Sequence, residues 1–345
     1  MKHEGQIESV RQRLLNLSRA NGEAFDFVLA RYGIERVLYR LGKSDLADRF
    51  VLKGATLFHV WNESLHRPTR DLDLLGFGQN DPESLRRVML EIIRVPCPED
   101  ALTFDEESLF VAPIRDDMDD GGVRAKFRAK LGNVRIPIQI DVGFGDAITP
   151  GPELRNYPTL LKDMPGTELM TYPTSTVIAE KFEALVRLDA QNSRMKDFFD
   201  LDYLLADGQI HRDSLDAAIR ATFERRGSIL PNETPTGLTT EFAKEKQVMW
   251  NAFIRKNGLQ PAEFPDVVRR IRNAMEWIWQ VCESGLRLAT SKADGRPSKP
   301  EIRRPSSTST TANWPPKIRP ASGSPSCPRT VSGTTASTTT GGRGR

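Results

Sequence analysis

Lys53-Gly54-Ala55-Thr56-Leu57-Phe58 and Arg70-Asp71-Leu72-Asp73-Leu74-Leu75 lie eleven residues apart in this chain. Successive side chains of a strand point to opposite faces, so Asp71 and Asp73 share a face and lie about 6.6 Å apart along the backbone. The leucines of the second run would be buried. Two carboxylates in this arrangement can hold divalent cations about 3.5–4 Å apart, the separation used in phosphoryl transfer. The second run therefore predicts a metal-binding strand.

The first run has the composition of a phosphate-binding turn. A short strand over Phe50–Leu52 leads into the glycine, and a helix is predicted from Ala55 to about Glu63. Backbone N–H groups at a helix N-terminus and the helix dipole favour phosphate. The basic residue at the start of each run could also contact phosphate, or could be a solvated flank. The predicted nucleotide-binding residues here are Lys53, Gly54, Ala55, Thr56 and Arg70.

A third carboxylate comes from a predicted β-hairpin. Apolar residues alternate with basic ones over 123–131, and the alternation resumes over 134–142 after Gly132-Asn133. This period of two predicts paired strands with one buried face. The basic ladder at 124–130 is either the solvated face or a surface that follows an RNA backbone. Asp141 falls on the polar face, and with Asp71 and Asp73 it could hold two Mg²⁺ ions and assist deprotonation of an attacking hydroxyl.

Helical periodicity dominates the rest of the chain. Helices are predicted over about 6–41 with a break at Asn21-Gly22, over 82–94, 174–188 and 196–205, and as three further patterns within 213–285. Residues 150–173 are predicted to be a proline-punctuated connection. The predicted fold class is α/β (α+β), with N-terminal helices over 1–45, a core over 46–172, a helical C-terminal region over 173–290 and a tail over 291–345.

The charge of the chain is unevenly distributed. The whole chain carries +3, and residues 291–345 contain ten Lys or Arg against two acidic residues, so residues 1–290 carry a net −5. A nucleic-acid surface therefore cannot be argued from the overall charge. The tail is rich in Ser, Thr, Pro, Gly and Arg, with too few aliphatic residues to offset the entropy of ordering. We expect it to be disordered, and a shifted reading frame is the alternative.

Cysteine usage and hydropathy predict the compartment. The three cysteines lie far apart without a CxxC spacing, so neither a disulfide framework nor a zinc site is indicated. No apolar run approaches the roughly 18 residues of a membrane span. The first ten residues lack the apolar core of a signal peptide. We expect a soluble cytoplasmic protein that does not interact with a membrane.

Four separated motifs carry a family resemblance over roughly residues 30–210. They are KGATLF, RPTRDLDLL, IQIDVGFGD and YPTSTVIAEKFEALVRLDAQNSRMKDFFDLDYL. Together they resemble the AbiEii/AbiGii-type nucleotidyltransferases, which are toxins of type IV toxin–antitoxin and phage-defence systems and to which the MenT toxins are similar. These proteins belong to the DNA polymerase β-like nucleotidyltransferase superfamily, whose core contains a mixed sheet. The usual Gly-Ser of that superfamily is replaced here by Gly54-Ala55-Thr56, and Thr56 could supply the hydroxyl.

The resemblance assigns roles to individual residues. Asp71 and Asp73 would bind metal and Asp141 would be the third carboxylate. Lys181 would contact nucleotide phosphates, although its side chain could instead only extend along an apolar surface. Asp197 would complete the site. The predicted catalytic residues are Asp71, Asp73, Asp141, Lys181 and Asp197.

Further residues are candidates with an alternative role. Asp197 and Asp200 share a helix face, so one would act in the site while the other pairs with a neighbouring cation. That cation would be Arg194 or Lys196. Asp146 in the GFGD motif is either part of the site or a loop cap.

The resemblance implies a reaction and its partners. An acceptor hydroxyl would attack the α-phosphorus of an NTP and expel pyrophosphate, with Mg²⁺ or Mn²⁺ as cofactor. Related toxins modify the 3′ end of tRNA, so tRNA is the predicted acceptor, and a nearby gene would encode the antitoxin. Two alternatives remain open. One is nucleotidyl or phosphoryl transfer to a protein or small-molecule hydroxyl, and the other is a non-catalytic nucleotide-binding module.

Overall fold

A seven-stranded mixed sheet organises the chain in a computed structural model that describes residues 2–61, 66–114, 121–206, 210–260 and 262–280. The sheet has the order β3-β4-β5-β2-β1-β7-β6. β2 is parallel to β5 and antiparallel to β1, and β1 is parallel to β7. The strands are β1 Phe50–Lys53, β2 Asp71–Gly76, β3 Thr103–Pro113, β4 Val123–Leu131, β5 Val134–Phe144, β6 Glu153–Tyr157 and β7 Thr167–Thr171.

Helices precede the sheet and follow it. The helices of the described residues are α1 Lys2–Asn21, α2 Phe25–Lys43, α3 Phe58–Trp61, α4 Pro82–Ile93, α5 Thr174–Leu188, α6 Met195–Ala206, α7 Arg212–Arg225, α8 Thr240–Asn257 and α9 Phe264–Met275. The predicted helix break at Asn21-Gly22 is confirmed, as are the hairpin strands and the helices after residue 173. The predicted mixed α/β class is therefore confirmed. None of these helices has both the length and the hydropathy needed to cross a bilayer.

Over β4 and β5, one face of the sheet belongs to the core and the other is polar. The apolar residues of β4 and β5, such as Phe127 and Ile138, are buried, while the basic residues between them are solvent-accessible. α2 covers the buried face and approaches it closely at Gly33, where a Cβ would lie 2.5 Å from the Cδ1 atom of Ile138. α4 packs on β3 and β4. The polar face is thus the one available for chemistry.

Two predicted elements differ in the structure. Residues 150–173 are not only a connection, because they contain β6 and β7, which form one edge of the sheet. The predicted helix from Ala55 to about Glu63 begins as the 3₁₀ turn Gly54–Leu57 and continues as α3 to Trp61, and the last two residues of the prediction lie outside the described residues.

The predicted domain limits at 45 and 172 remain predictions. By contacts between Cα atoms, residues 1–294 form one unit. The predicted disordered tail over 291–345 lies outside the described residues.

Candidate active site

Four charged residues form one row across the polar face of the sheet. Asp73 on β2 is in register with Lys53 on β1 and with Asp141 on β5, and Asp141 is in register with Arg124 on β4. Paired residues on neighbouring strands point to the same face, so all four side chains project together. Asp71 lies two residues earlier on β2, in register with Gln139, and shares that face. The structure thus brings the three predicted carboxylates to one face.

Gly54 fits against Asp73 at the end of β1. A Cβ at this glycine would lie 2.1 Å from the Oδ2 atom of Asp73, and the glycine has φ +74°. Both the space and the backbone conformation exclude a larger residue. The 3₁₀ turn Gly54–Leu57 leads directly into α3, and the predicted phosphate site at this helix terminus stays a prediction. Side chains supply positive charge beside the turn.

Two predicted nucleotide contacts lie elsewhere. Thr56 is buried, and its hydroxyl donates to the carbonyl oxygen of Asp71 at 3.2 Å, which ties the turn to β2. Its hydroxyl is therefore committed to the fold rather than to phosphate. Arg70 is exposed and pairs with Asp26 of α2 at 2.6 Å. Neither residue lines the cavities described below that contain Asp73.

The carboxylates are close enough to influence one another. Burial, and then the negative charge of Asp141, raise the pKa of Asp71. Burial also raises the pKa of Asp73, where Lys53 opposes the effect and Asp141 adds to it. Asp141 forms a bidentate ion pair with Arg124, with both N–O distances at 2.7 Å. Burial and mutual repulsion make the ionised forms of these carboxylates less stable, and a bound divalent cation would offset that repulsion.

The match to a metal site lies in the donor types and their shared face. Within the described residues, no group of three or more His, Cys, Asp or Glu already has the spacing of a formed metal site. Asp141 contacts Arg124 instead of completing such a group. All three predicted ligands are hard oxygen donors, the type that Mg²⁺ and Mn²⁺ prefer. Asp71, Asp73 and Asp141 are therefore the residues that would hold the cations.

The ammonium of Lys53 is held by two acidic residues outside the row. Its ammonium pairs with Asp146 and lies 3.8 Å from Glu180. Asp146 also accepts a 3.1 Å hydrogen bond from the hydroxyl of Tyr172, and Arg226 lies 3.6 Å from Glu180. Burial lowers the pKa of Lys53, but Glu180 and Asp146 outweigh it and the pKa is raised. Lys53 is thus a fixed cation beside Asp73, and Asp146 positions it.

Lys181 on α5 is the centre of a second buried network. Its ammonium lies 2.8 Å from Asp197 and 2.7 Å from Asp200, both on α6. Asp200 is fully buried and also binds Arg67 through two hydrogen bonds and His66 through one. Against the effect of burial, Lys181 and Arg67 hold the pKa of Asp200 well below its usual range. Asp200 therefore holds the side chains of Lys181 and Arg67 in place.

Asp197 lies nearer the cleft. It accepts hydrogen bonds from Lys181 at 2.8 Å and from Arg194 at 2.6 Å, and it lines the cavity that contains Asp73, whereas Asp200 does not. Lys196 lines the same cavity, and burial lowers its pKa. Asp197 thus lines the cavity, whereas Asp200 is fully buried and contacts the cations that line it.

Two adjoining cavities overlap around Lys53 and Asp73 and share three arginines as well. The first, which we call the phosphate cleft, has a volume of about 250 Å³ and is strongly basic. Its three carboxylates are Asp73, Glu180 and Asp197. Its cations are Lys53, Arg67, Lys181, Arg187, Arg194, Lys196 and Arg226. This excess of positive charge suits a triphosphate.

The second cavity, which we call the nucleoside cavity, has a volume of about 570 Å³. It shares Lys53, Asp73, Arg187, Arg194 and Arg226 with the phosphate cleft and also contains Asp141. Its apolar lining comes from Ile114, Phe144 and Leu188. A base and its ribose would fit beside the carboxylates, with the phosphates in the basic cleft.

Sequence reasoning did not identify Arg67, Glu180 or Arg226 as site residues. Arg67 lies three residues before Arg70, and the RPTR motif contains both, so the motif indicated an arginine but not which one. Glu180 precedes Lys181 in the AEKF motif. Arg226 follows α7, far from the motifs in sequence, and no local signal indicates it.

Comparison with known proteins identifies the family of this chain. The profile of the family described as "Nucleotidyl transferase AbiEii toxin, Type IV TA system" matches residues 36–278, and the chain belongs to this family. It is therefore a nucleotidyltransferase toxin of a type IV toxin–antitoxin system, with a nucleotide substrate and an antitoxin partner.

Solved structures show a more distant similarity. JHP933 from Helicobacter pylori has a TM-score of 0.41 and 15% identity, and the match covers 76% of this chain and 97% of that one. A candidate nucleotidyltransferase from H. pylori has a TM-score of 0.38 and 14% identity, with 73% and 93% covered. No curated protein sequence matches the chain.

Proposed function

We propose that this toxin transfers a nucleoside monophosphate from an NTP to the 3′-terminal hydroxyl of tRNA in a reaction that requires Mg²⁺ or Mn²⁺. The observation that carries the proposal is the row Lys53–Asp73–Asp141, which lies where the phosphate cleft meets the nucleoside cavity. An α-phosphate placed at that junction has carboxylates on one side and fixed cations on the other. The arrangement suits in-line phosphoryl transfer, in which positioning and electrostatics supply the catalysis.

The residues of the chain divide the work. Lys53, Lys181 and the arginines of the phosphate cleft bind the phosphates and counter the charge on departing pyrophosphate. Asp71, Asp73 and Asp141 would hold the divalent cations, which when bound neutralise charge on the reacting phosphate. The acceptor hydroxyl gives up its proton with help from a carboxylate and forms the new P–O bond as the bond to pyrophosphate breaks. Asp146 and Asp200 keep Lys53 and Lys181 in place.

Transfer to tRNA would arrest growth by blocking the acceptor end. An antitoxin encoded nearby would oppose the toxin without necessarily binding it, and phage defence would be one use of that arrest. The mildly acidic charge of residues 1–290 argues against a broad RNA surface and for a local one.

The direct test is label transfer. Purified protein is incubated with Mg²⁺, total tRNA and each of the four NTPs labelled at the α-phosphate. Asp73→Asn removes a proposed metal ligand, and Asp216→Asn is a matched control on α7, where Asp216 pairs with the exposed Arg220 at 2.8 Å. We expect label in RNA with the wild type and with Asp216→Asn, and at least a hundredfold less with Asp73→Asn. If the label survives RNase treatment and migrates with protein, the acceptor is a protein and not tRNA.

A further inference from the structure

A groove of about 720 Å³ opens beside Asp71. It shares no lining residue with the phosphate cleft or the nucleoside cavity. β5 pairs with β2 only from Gln139 onward, so the first part of β5 borders the groove without a β2 neighbour. Asp26 and Leu29 of α2 line the groove as well. The groove therefore reaches Asp71, and it is separate from the two cavities proposed for the nucleotide.

A second row of side chains lies among the residues that line this groove, together with Phe127, Ile136 and Ile138 of the opposite face. Phe110 on β3 is in register with Lys126 on β4, Lys126 with Gln139 on β5, and Gln139 with Asp71 on β2. All four side chains project from the polar face. At the usual strand spacing, Phe110 is about 14 Å from Asp71 across the sheet. The row thus connects an aromatic ring to a proposed metal ligand.

The exposure of Phe110 has a structural cause. The register between β3 and β4 shifts between Asp105 and Phe110, and this bulge leaves Leu109 buried and Phe110 64% exposed. The bulge is anchored, because Arg86 donates to the carbonyl of Leu109 and the Ser108 hydroxyl donates to the carbonyl of Asp105 at 2.6 Å. Bulges near active sites commonly redirect a side chain. Here one holds an aromatic ring towards solvent.

The groove also carries positive charge. Its lining includes four cations and two carboxylates, and one of the carboxylates is Asp71. Arg128 lies 3.4 Å from Asp105 in an exposed ion pair. No carboxylate of the described residues lies within 4 Å of Lys126 or Arg135. The basic residues lining the groove are Arg70, Lys126, Arg128 and Arg135.

We propose that this groove binds the 3′ end of single-stranded RNA and delivers its terminal hydroxyl to the carboxylates. Phe110 stacks on a base, and Lys126, Arg128 and Arg135 contact phosphates. An exposed aromatic ring beside cations is the arrangement that binds single-stranded nucleic acid without requiring a particular sequence. The proposal rests on the proposed function and adds the surface that recognises the acceptor.

The test measures RNA binding separately from catalysis. The probe is a fluorescein-labelled single-stranded RNA decamer ending in CCA with a free 3′ hydroxyl, and anisotropy is recorded without NTP or metal at several salt concentrations. The variants are Phe110→Ala, Phe110→Tyr and Lys126→Ala. The controls are Leu154→Ala, an exposed apolar residue on β6, and Lys162→Ala, an exposed lysine, both outside the groove.

We expect Phe110→Ala to weaken RNA binding about tenfold and Phe110→Tyr to retain it, since stacking needs only a ring. Lys126→Ala should weaken binding and reduce the slope of log affinity against log salt by about 0.7, the value for one phosphate contact on a single strand. In the label-transfer assay, both alanine variants should raise the KM for RNA and leave the KM for NTP within about twofold, because the groove is separate from the nucleotide cavities.

The outcomes separate the groove from the enzyme. If label enters RNA normally with Phe110→Ala and Lys126→Ala, and both bind the decamer as the wild type does, the groove proposal is wrong and the proposed function stands. If the decamer binds through Phe110 but no label is transferred, the groove stands and the proposed function fails. Label found in a protein, with no effect of either substitution on binding, overturns both.

Discussion

The Oδ2 atom of Asp73 occupies the space that a Cβ at residue 54 would need. The carboxylate can therefore hold this position only if residue 54 is glycine. This close approach joins the first run of the sequence to the second at the point where the phosphate cleft meets the nucleoside cavity. Gly54 is thus required by the position of the carboxylate as well as by its own backbone conformation.

Replacing this glycine should damage catalysis more than stability. We expect Gly54→Ala to cost at least about 1–2 kcal/mol of unfolding free energy, which is the contribution of the left-handed backbone alone. It should lower kcat/KM for NTP at least a hundredfold, because a displacement of about 1 Å at a reacting group can have that effect. Gly258→Ala is the matched control, since this glycine also has positive φ but nothing within 4 Å of its Cβ position. Equal losses of activity in the two variants would contradict the prediction.

Loss of the Asp200 carboxylate should destabilise the fold. Asp200→Asn leaves Lys181 and Arg67 buried with less compensating charge, and we expect a loss of about 3–5 kcal/mol at pH 7 by urea unfolding. Asp202→Asn, two residues away on the same helix, removes an ion pair with the half-exposed Arg270 and should cost less than about 1 kcal/mol. A small effect of Asp200→Asn would show that the network contributes little to stability.

The same variant should change the dependence of stability on pH. The pKa of Asp200 is held below the ordinary carboxyl value of 3.8 in the folded state. Its contribution is therefore complete at pH values above that ordinary value and is lost as the pH falls towards the lowered pKa. The difference in unfolding free energy between wild type and Asp200→Asn should shrink as the pH falls below about 4. If the difference in unfolding free energy instead increased as the pH fell, the predicted direction of the pH dependence would be wrong.

Removing the Lys181 ammonium should weaken NTP binding. Hydrogen bonds to charged groups contribute about 1.5–3 kcal/mol, so Lys181→Met should raise the Kd for NTP tenfold or more. Lys244→Met, at an exposed position on α8, is the control. Equilibrium titration with a fluorescent ATP analogue measures the affinity, and thermal unfolding identifies any variant that has lost its fold. Unchanged affinity in a folded Lys181→Met protein would remove Lys181 from the phosphate contacts.

The three carboxylates should together determine cation affinity. We expect Asp73→Asn and Asp141→Asn each to weaken Mn²⁺ binding at least tenfold, because each removes a charged oxygen donor. Asp216→Asn on α7 should have no effect. The electron paramagnetic resonance signal of free Mn²⁺ measures binding without reference to activity. Equal affinity in all four proteins would mean that the cation binds elsewhere.

The sequence predicted those parts of the site that depend on local pattern. Alternation along a single strand places Asp71 and Asp73 on one face, and the same alternation places Asp141 on the polar face of its hairpin. The helix that carries Lys181 and the one that carries Asp197 follow from helical periodicity.

Other features depend on contacts between distant residues. The two five-residue strands β6 and β7 are too short for alternation to distinguish from the surrounding proline-rich loop, and only pairing along the sheet edge defines them. Arg226 reaches Glu180 and Glu183 from the end of α7, and its role follows from packing. The pairing of Arg124 with Asp141 likewise required the register between β4 and β5.

The parallel pairing of β2 with β5 has a consequence for synthesis of the toxin. Asp73 cannot acquire Asp141 as a neighbour until the ribosome has made all of the intervening hairpin, and the cleft lacks Lys181 and Asp197 until two further helices have emerged. A nascent chain that stops before that point contains the aspartates without a site around them. The complete site can therefore form only after more than half of the chain has been translated.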